Sequence, residues 1–186
     1  DHFQMCALSI AGLVISHNIL AMIFMPIFFL YSFIRRKKYI LAGVGGLLVS
    51  SYFWIPALFE RNYVTGLNTV NFRDHFPMIT QLLMPSWGTG FSKQEFSFDE
   101  MSFQIGIVPV FVIIFACIVF IRNKSSRYKK LFLLFICSVA VSFFLMLDWT
   151  SSFWNSVHPL QLIQYPWRLL SVFIPAVAFF AGWIAQ

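Results

Sequence analysis

The sequence predicts an all-α, polytopic helical membrane protein of about five transmembrane segments, and three observations make that prediction. Of its 186 residues, 59% are hydrophobic and only 11% are charged, against roughly 25% charged in an ordinary soluble domain. The apolar residues gather into five uncharged runs, of the order of the ~20 helical residues that span a bilayer core. None of these runs alternates with period two, so helices and not a β-barrel are expected to carry the chain across. With 24 Phe, 6 Trp and 6 Tyr, there is more apolar mass than one small core absorbs. A soluble globule, a disordered segment and a disulfide-stapled secreted module are excluded.

The first run, Phe3 to Phe33, has 31 residues and would measure roughly 46 Å as one helix, against a core of about 30 Å. Counting back about 20 residues from Arg35 sets a boundary near Ile15. The polar cluster Ser16-His17-Asn18 is therefore expected to break the run. The second run, Tyr39 to Leu58, carries Ala42 and Gly46 four apart, the small-residue spacing that lets helices approach closely. The remaining runs are Phe103 to Ile121, Leu131 to Leu147 and Leu169 to Ala185. Pro26, Pro56, Pro109 and Pro175 are expected to bend or cap spans where neighbours re-satisfy the backbone.

Orientation follows from charge placement. Loops 34–38 and 122–130 hold nine of the thirteen basic residues and no acidic one, so both are expected on the cytoplasmic side. All seven acids fall in the other segments. The +6 net charge is thus an orientation signal, and nucleic acid is excluded as a partner. Two long outer loops follow, 59–102 and 148–168; loops of this length usually carry function. Trp87, Trp149, Trp154, Tyr165 and Trp167 are expected at headgroup level, where an amphipathic ring is satisfied at both ends.

Cys6, Cys117 and Cys137 lie inside apolar runs and read as buried small hydrophobes. Neither a CxxC nor a zinc-ligand spacing occurs. The sequon Asn123-Lys124-Ser125 falls on the expected cytoplasmic side and reads as chance. The chain begins at Asp1 and stops at Gln186, directly after an apolar run. It is expected to be a piece of a larger membrane protein, its residues 1–186 forming a single membrane domain.

A few polar residues carry the chemistry. His17 and Asn18 sit where an apolar run meets the outer interface; such residues pair with other helices or face a water-filled cavity, and an imidazole there suits a donor, a base or a phosphate contact. Arg168 ends Gln164-Tyr165-Pro166-Trp167-Arg168, which leads into the last run from outside. A guanidinium there sits at the depth of lipid phosphates and grips two oxygens at once; its ordinary alternative is snorkelling to headgroups. Trp167 beside it is an interface anchor. Asp74 and His75 suit acid–base work or a divalent metal, although an adjacent pair without a third ligand assigns neither. Asp99-Glu100 reads as a solvated pair, and His158 before Pro159 as a turn. No cofactor is assigned, and no nucleotide-binding or hydrolase motif occurs.

Ser16-His17-Asn18, Trp54-Ile55-Pro56-Ala57-Leu58-Phe59-Glu60, His75, Gln81-Leu82-Leu83 with Pro85-Ser86-Trp87-Gly88, and Tyr165-Pro166-Trp167-Arg168 follow one another in that order. The order resembles a prokaryotic integral-membrane family labelled 6-pyruvoyl-tetrahydropterin synthase-related, which is grouped with the GT-C type of polytopic glycosyltransferases. The resemblance covers most of the chain through short motifs. It implies a transferase of the prokaryotic plasma membrane that uses a sugar carried on a polyprenyl phosphate at the outer face. It implies His17, His75 and Arg168 as site residues, and an essential acid in a first outer loop upstream of this sequence. The soluble pterin synthase binds zinc through a histidine triad, and no such set occurs here.

Two other classes fit the composition. A transporter or lipid-handling protein needs a polar path, yet the last three runs contain no ionisable carboxylate, histidine, lysine or arginine, which argues against ion coupling. A non-catalytic partner of another envelope protein would use the aromatic outer loops.

Overall fold

The computed structural model describes residues 2–60, 63, 71–90, 93–94, 101–122 and 128–185. All regular structure among them is helical, which establishes the all-α class. The chain packs as two compact units, Asp1–Val70 and Asn71–Gln186. Lys124, Arg127, the sequon at 123–125, Glu95 and the Asp99-Glu100 pair lie outside the described residues.

The first unit contains α1 (His2–Ser16), α2 (Asn18–Arg35), α3 (Lys38–Val49) and α4 (Ser51–Phe59). The long first run is two helices, parted at His17, whose backbone leaves the helical region with φ −155° and ψ 83°. Helices α2 and α3 are joined by Arg36 and Lys37 alone. The core is formed by Ile10, Val14, Ala21 and Met25, with Phe28, Phe29, Leu47 and Trp54 against it. Ala42 and Gly46 are buried as the four-residue spacing predicts. A Cβ on Gly46 would lie 2.7 Å from the Ala7 carbonyl oxygen and 2.8 Å from Ile10 Cβ. Only a glycine lets α1 and α3 meet at that distance.

The second run is not one straight helix. It bends by 66° between α3 and α4, at the buried Ser50. The bend frees carbonyls that an apolar setting must see satisfied. The Ser50 hydroxyl donates to the carbonyls of Gly46 at 2.9 Å and Leu47 at 3.2 Å, and the Trp54 indole donates to Leu47 at 2.8 Å.

The second unit contains a 3-10 turn (Phe72–His75), α5 (Ile79–Leu83), α6 (Ile107–Arg122), α7 (Lys129–Leu145), α8 (Ser151–Ser156), α9 (His158–Gln161), a seven-residue 3-10 helix (Pro166–Val172) and α10 (Phe173–Ile184). Gly106, at φ +88°, starts α6 later than the apolar run begins. Pro109 takes the third position of α6, where the missing N–H has no intrahelical partner to lose, and Pro175 stands just after the junction of the 3-10 helix with α10. At the end of α7 the chain turns by 86° into residues Asp148–Ser156. Thr150 Oγ1 donates to Leu147 at 2.7 Å and to Leu145 at 3.2 Å, and the Trp154 indole donates to Leu145 at 3.0 Å.

Spanning length is therefore shared out differently from the five runs. Among the described residues, Asn18–Arg35 and Pro166–Ile184 are long and apolar enough to cross a membrane, and counting each bent pair as one span gives up to four. Helices α1 and α6, of 15 and 16 residues, are shorter. Two further expectations change. Trp154 is no headgroup anchor: it is 0% exposed, because its indole is needed at the α7 bend. Cys137 is exposed, and Cys6 and Cys117 are half-buried, since apolar helices here turn much of their surface outward.

Candidate functional site

The second unit gathers His75, Tyr165, Trp167 and Arg168. The 3-10 turn Phe72–His75 is opened by Asn71, whose side chain accepts the Arg73 N–H. Phe72 stacks on Trp154 with centroids 5.7 Å apart, and Phe76 meets the same indole edge-on at 5.7 Å. Arg73 Nη2 donates to Asn155 Oδ1 at 3.1 Å. These contacts fix the turn, so His75 reaches Tyr165, its ring edge-on at a centroid distance of 4.8 Å.

Tyr165 is the plate on which the site is built. The Arg168 guanidinium carbon lies 4.6 Å from its ring centroid, within cation–π range. Arg168 Nη1 donates to the Ile163 carbonyl at 2.8 Å and to Gln164 Oε1 at 3.2 Å. Trp167 lies 5.5 Å from Tyr165 and 5.5 Å from the buried Phe103. Arg168 is half-buried, and its polar partners are neutral oxygens, with no carboxylate among the described residues paired to it. A half-buried permanent cation without a counter-ion favours an anion beside it.

The backbone carrying Arg168 is unusual. Gln164 takes φ 66°, the left-handed region that a residue with a Cβ rarely occupies. The following 3-10 helix runs for seven residues, where runs beyond three or four are uncommon. Within it, the Trp167 indole N–H and the Ser171 hydroxyl are buried without a hydrogen-bond partner among the described residues. Strain and unsatisfied donors cluster at ligand sites more often than elsewhere.

No known family, curated protein or solved structure matches the chain.

Of the residues singled out from sequence, His75, Trp167 and Arg168 come together. Asp74, though adjacent to His75, is exposed and does not join the rings. Among the described residues no three His, Cys, Asp or Glu side chains converge as metal ligands. His17 and Asn18 belong to the first unit. There, His17 Nδ1 accepts the Leu20 N–H at 3.3 Å and caps α2, while Asn18 is the exposed first residue of that helix. A structural role for His17 is thus visible: it satisfies an orphan donor where the run breaks. Asn155 carries no sequence signal, and Tyr165, Gln164 and Arg73 enter the sequence only as a headgroup ring, as part of the run before Arg168 and as the neighbour of Asp74-His75, with no site role of their own. The 82-residue separation of Arg73 and Asn155 leaves no local signal to find them by.

Proposed function

We propose that this chain is an integral membrane protein of a prokaryotic plasma membrane, with loops 34–38 and 122–130 cytoplasmic, and forms part of a GT-C-like glycosyltransferase that uses a polyprenyl-phosphate-linked sugar. The cluster of Arg168, Tyr165, Trp167 and His75 binds the lipid phosphate at the outer face. The observation that carries this reading is Arg168: a half-buried guanidinium, oriented by Tyr165 and Ile163, whose charge meets no carboxylate among the described residues.

Membrane placement rests on the outward faces of the helices. In α6 only Ala116 is buried, while Ile107, Phe111, Ile114, Ile118 and Ile121 are exposed at helical spacing. A helix that turns such a stripe outward, with apolar residues on its other faces as well, suits lipid and not water.

In the proposed reaction an acceptor oxygen attacks the anomeric carbon, the bond to the lipid phosphate breaks, and the phosphate leaves with its electron pair. The acceptor hydroxyl gives its proton to a general base, a role that no described residue is assigned. Arg168 stabilises the charge gathering on the phosphate, as a fixed cation that needs no reorganisation. Its Nη1 is held by Ile163 and Gln164, so the rest of the guanidinium edge faces the ligand in a set orientation. His75 stands on Tyr165 as a second donor. Trp87 and Trp149, 84% and 68% exposed, favour a second reading, in which this surface docks another envelope protein.

Binding of a short-chain polyprenyl phosphate to the protein in nanodiscs tests the proposal. Arg168→Ala weakens binding at least ten-fold, the scale of one charged hydrogen-bonding group, while circular dichroism remains that of the parent. Unchanged binding in a folded Arg168→Ala protein overturns the assignment.

A further inference from the structure

Between α7 and α10 lies an apolar cavity of about 290 Å³, lined by Tyr128, Leu131, Ala178, Phe179, Gly182 and Trp183. It exists because Ala178 and Gly182, one turn apart on α10, fill so little; a Cβ built on Gly182 meets no atom within 4 Å. Packed rings hold the Trp183 wall in place. Phe132 lies 4.9 Å from Trp183, 5.0 Å from Phe180 and 4.3 Å from Phe120, and Phe132, Phe180 and Trp183 are buried. An empty space with such walls forfeits dispersion contacts that a hydrocarbon chain would restore.

One wall of the cavity comes from a basic turn. The turn that gives Tyr128 and Leu131 to its wall also carries Lys129 and Lys130, both exposed, and the first turn of α7 holds no acid. Exposed Arg122 ends α6 on the same unit. The first-turn N–H groups of α7 add the partial positive charge of a helix N-terminus. Apolar walls beside a basic turn match one class of ligand, an acyl chain that ends in an anionic headgroup.

We propose that this cavity is a binding site for an anionic phospholipid of the cytoplasmic leaflet. One acyl chain lies over Gly182 and Ala178 against Trp183, and the phosphate meets Lys129, Lys130 and the start of α7. The inference rests on the membrane placement proposed above but not on the transferase reading, since it uses none of the Arg168 cluster.

The test measures lipid retained by the protein in nanodiscs of equal parts phosphatidylglycerol and phosphatidylcholine, by native mass spectrometry. The parent protein is expected to retain phosphatidylglycerol in preference. Gly182→Leu, whose Cβ meets no described atom within 4 Å, projects its side chain into the cavity and abolishes that retention, with thermal stability kept or raised. Lys129→Gln and Lys130→Gln each reduce the preference about five-fold, the worth of one basic residue near an anionic surface. Arg168→Ala leaves it unchanged. Equal retention of both lipids by the parent, or undiminished phosphatidylglycerol on Gly182→Leu because another segment fills the cavity, overturns the site. Release of the protein from native membranes by alkaline carbonate would instead overturn the membrane placement.

Discussion

The Trp54 indole nitrogen lies 2.8 Å from the carbonyl oxygen of Leu47, across the 66° bend between α3 and α4. The same device recurs in the second unit, where Trp154 donates to Leu145 across the 86° turn after α7. Each tryptophan follows a hydroxyl residue by four positions, Ser50 before Trp54 and Thr150 before Trp154. Each hydroxyl shares the carbonyl that the indole reaches, Leu47 for Ser50 and Leu145 for Thr150, and also donates to a neighbouring carbonyl that keeps its backbone partner. An indole and a hydroxyl replace the helical N–H groups that the bend removes, which is how an irregular backbone is tolerated in apolar surroundings.

Removing one donor at a time should therefore destabilise each bend. Trp54→Phe is expected to cost about 1 kcal/mol, the net value of one such hydrogen bond. Trp154→Phe should cost more, because the fully buried ring also leaves a void. Ser50→Ala and Trp54→Phe serve one carbonyl in common, so their effects should be non-additive in a double-mutant cycle. Unfolding in detergent, followed by circular dichroism, measures all of these; strict additivity would remove the shared-carbonyl explanation.

The glycines of the first unit should separate by what surrounds them. Gly46→Ala places a methyl group 2.7 Å from the Ala7 carbonyl oxygen, and overpacking of this kind costs about 1–3 kcal/mol. Gly12, in α1, has open space around its added Cβ. Gly12→Ala should be neutral or gain up to about 1 kcal/mol from helix propensity. Melting temperatures of the two variants, taken side by side, check the contrast.

The helices themselves were legible in the sequence because uncharged runs, proline positions and the Ser16-His17-Asn18 break all act locally. The bends at Ser50 and after Leu145 were not, because apolar residues continue through both and hydropathy does not register a turn. Trp154 was misjudged for the same reason: an amphipathic ring suits headgroup level and a freed carbonyl equally well. At the site, Arg168 stands out because charge beside an apolar run is costly, and Trp167 because an amphipathic ring there suits the interface. Tyr165 does not, since its importance comes from His75, which reaches it from 90 positions away in sequence.

His17 offers a way to separate capping from chemistry. His17→Ala should lose about 1 kcal/mol of stability, the ordinary value of an N-cap. His17→Asn should retain most of it, because the amide oxygen can accept the Leu20 N–H in place of Nδ1. If lipid-phosphate binding in nanodiscs is normal in His17→Asn, the residue serves the helix break alone. Loss of binding with stability retained would return His17 to the site.

Tyr165 should matter through its ring rather than its hydroxyl. Tyr165→Phe keeps a face for Arg168 at 4.6 Å and an edge contact for His75, so lipid-phosphate affinity should change less than about three-fold. Tyr165→Leu removes both, including a cation–π interaction of about 0.5–2 kcal/mol, and should weaken binding by roughly ten-fold. Equal losses in the two variants would assign the role to the phenol hydroxyl.

The outward stripe of α6 gives the most direct check on membrane placement. In a background with Cys6, Cys117 and Cys137 replaced, single cysteines at Ile107, Phe111, Ile114, Ile118 and Ile121 lie on exposed positions of one helix. In water all five would react with a charged thiol reagent. Within a bilayer the central three should resist it, and only positions near the helix ends should be labelled. An arginine at Ile114 should cost about 2.5–3.5 kcal/mol of insertion free energy, and one at Ile121, beside Arg122, much less, because the side chain there can snorkel to the interface. Uniform labelling along the stripe, with no depth dependence of the arginine effect, would place α6 in water or against protein and remove the physical basis for a lipid-facing Arg168 site.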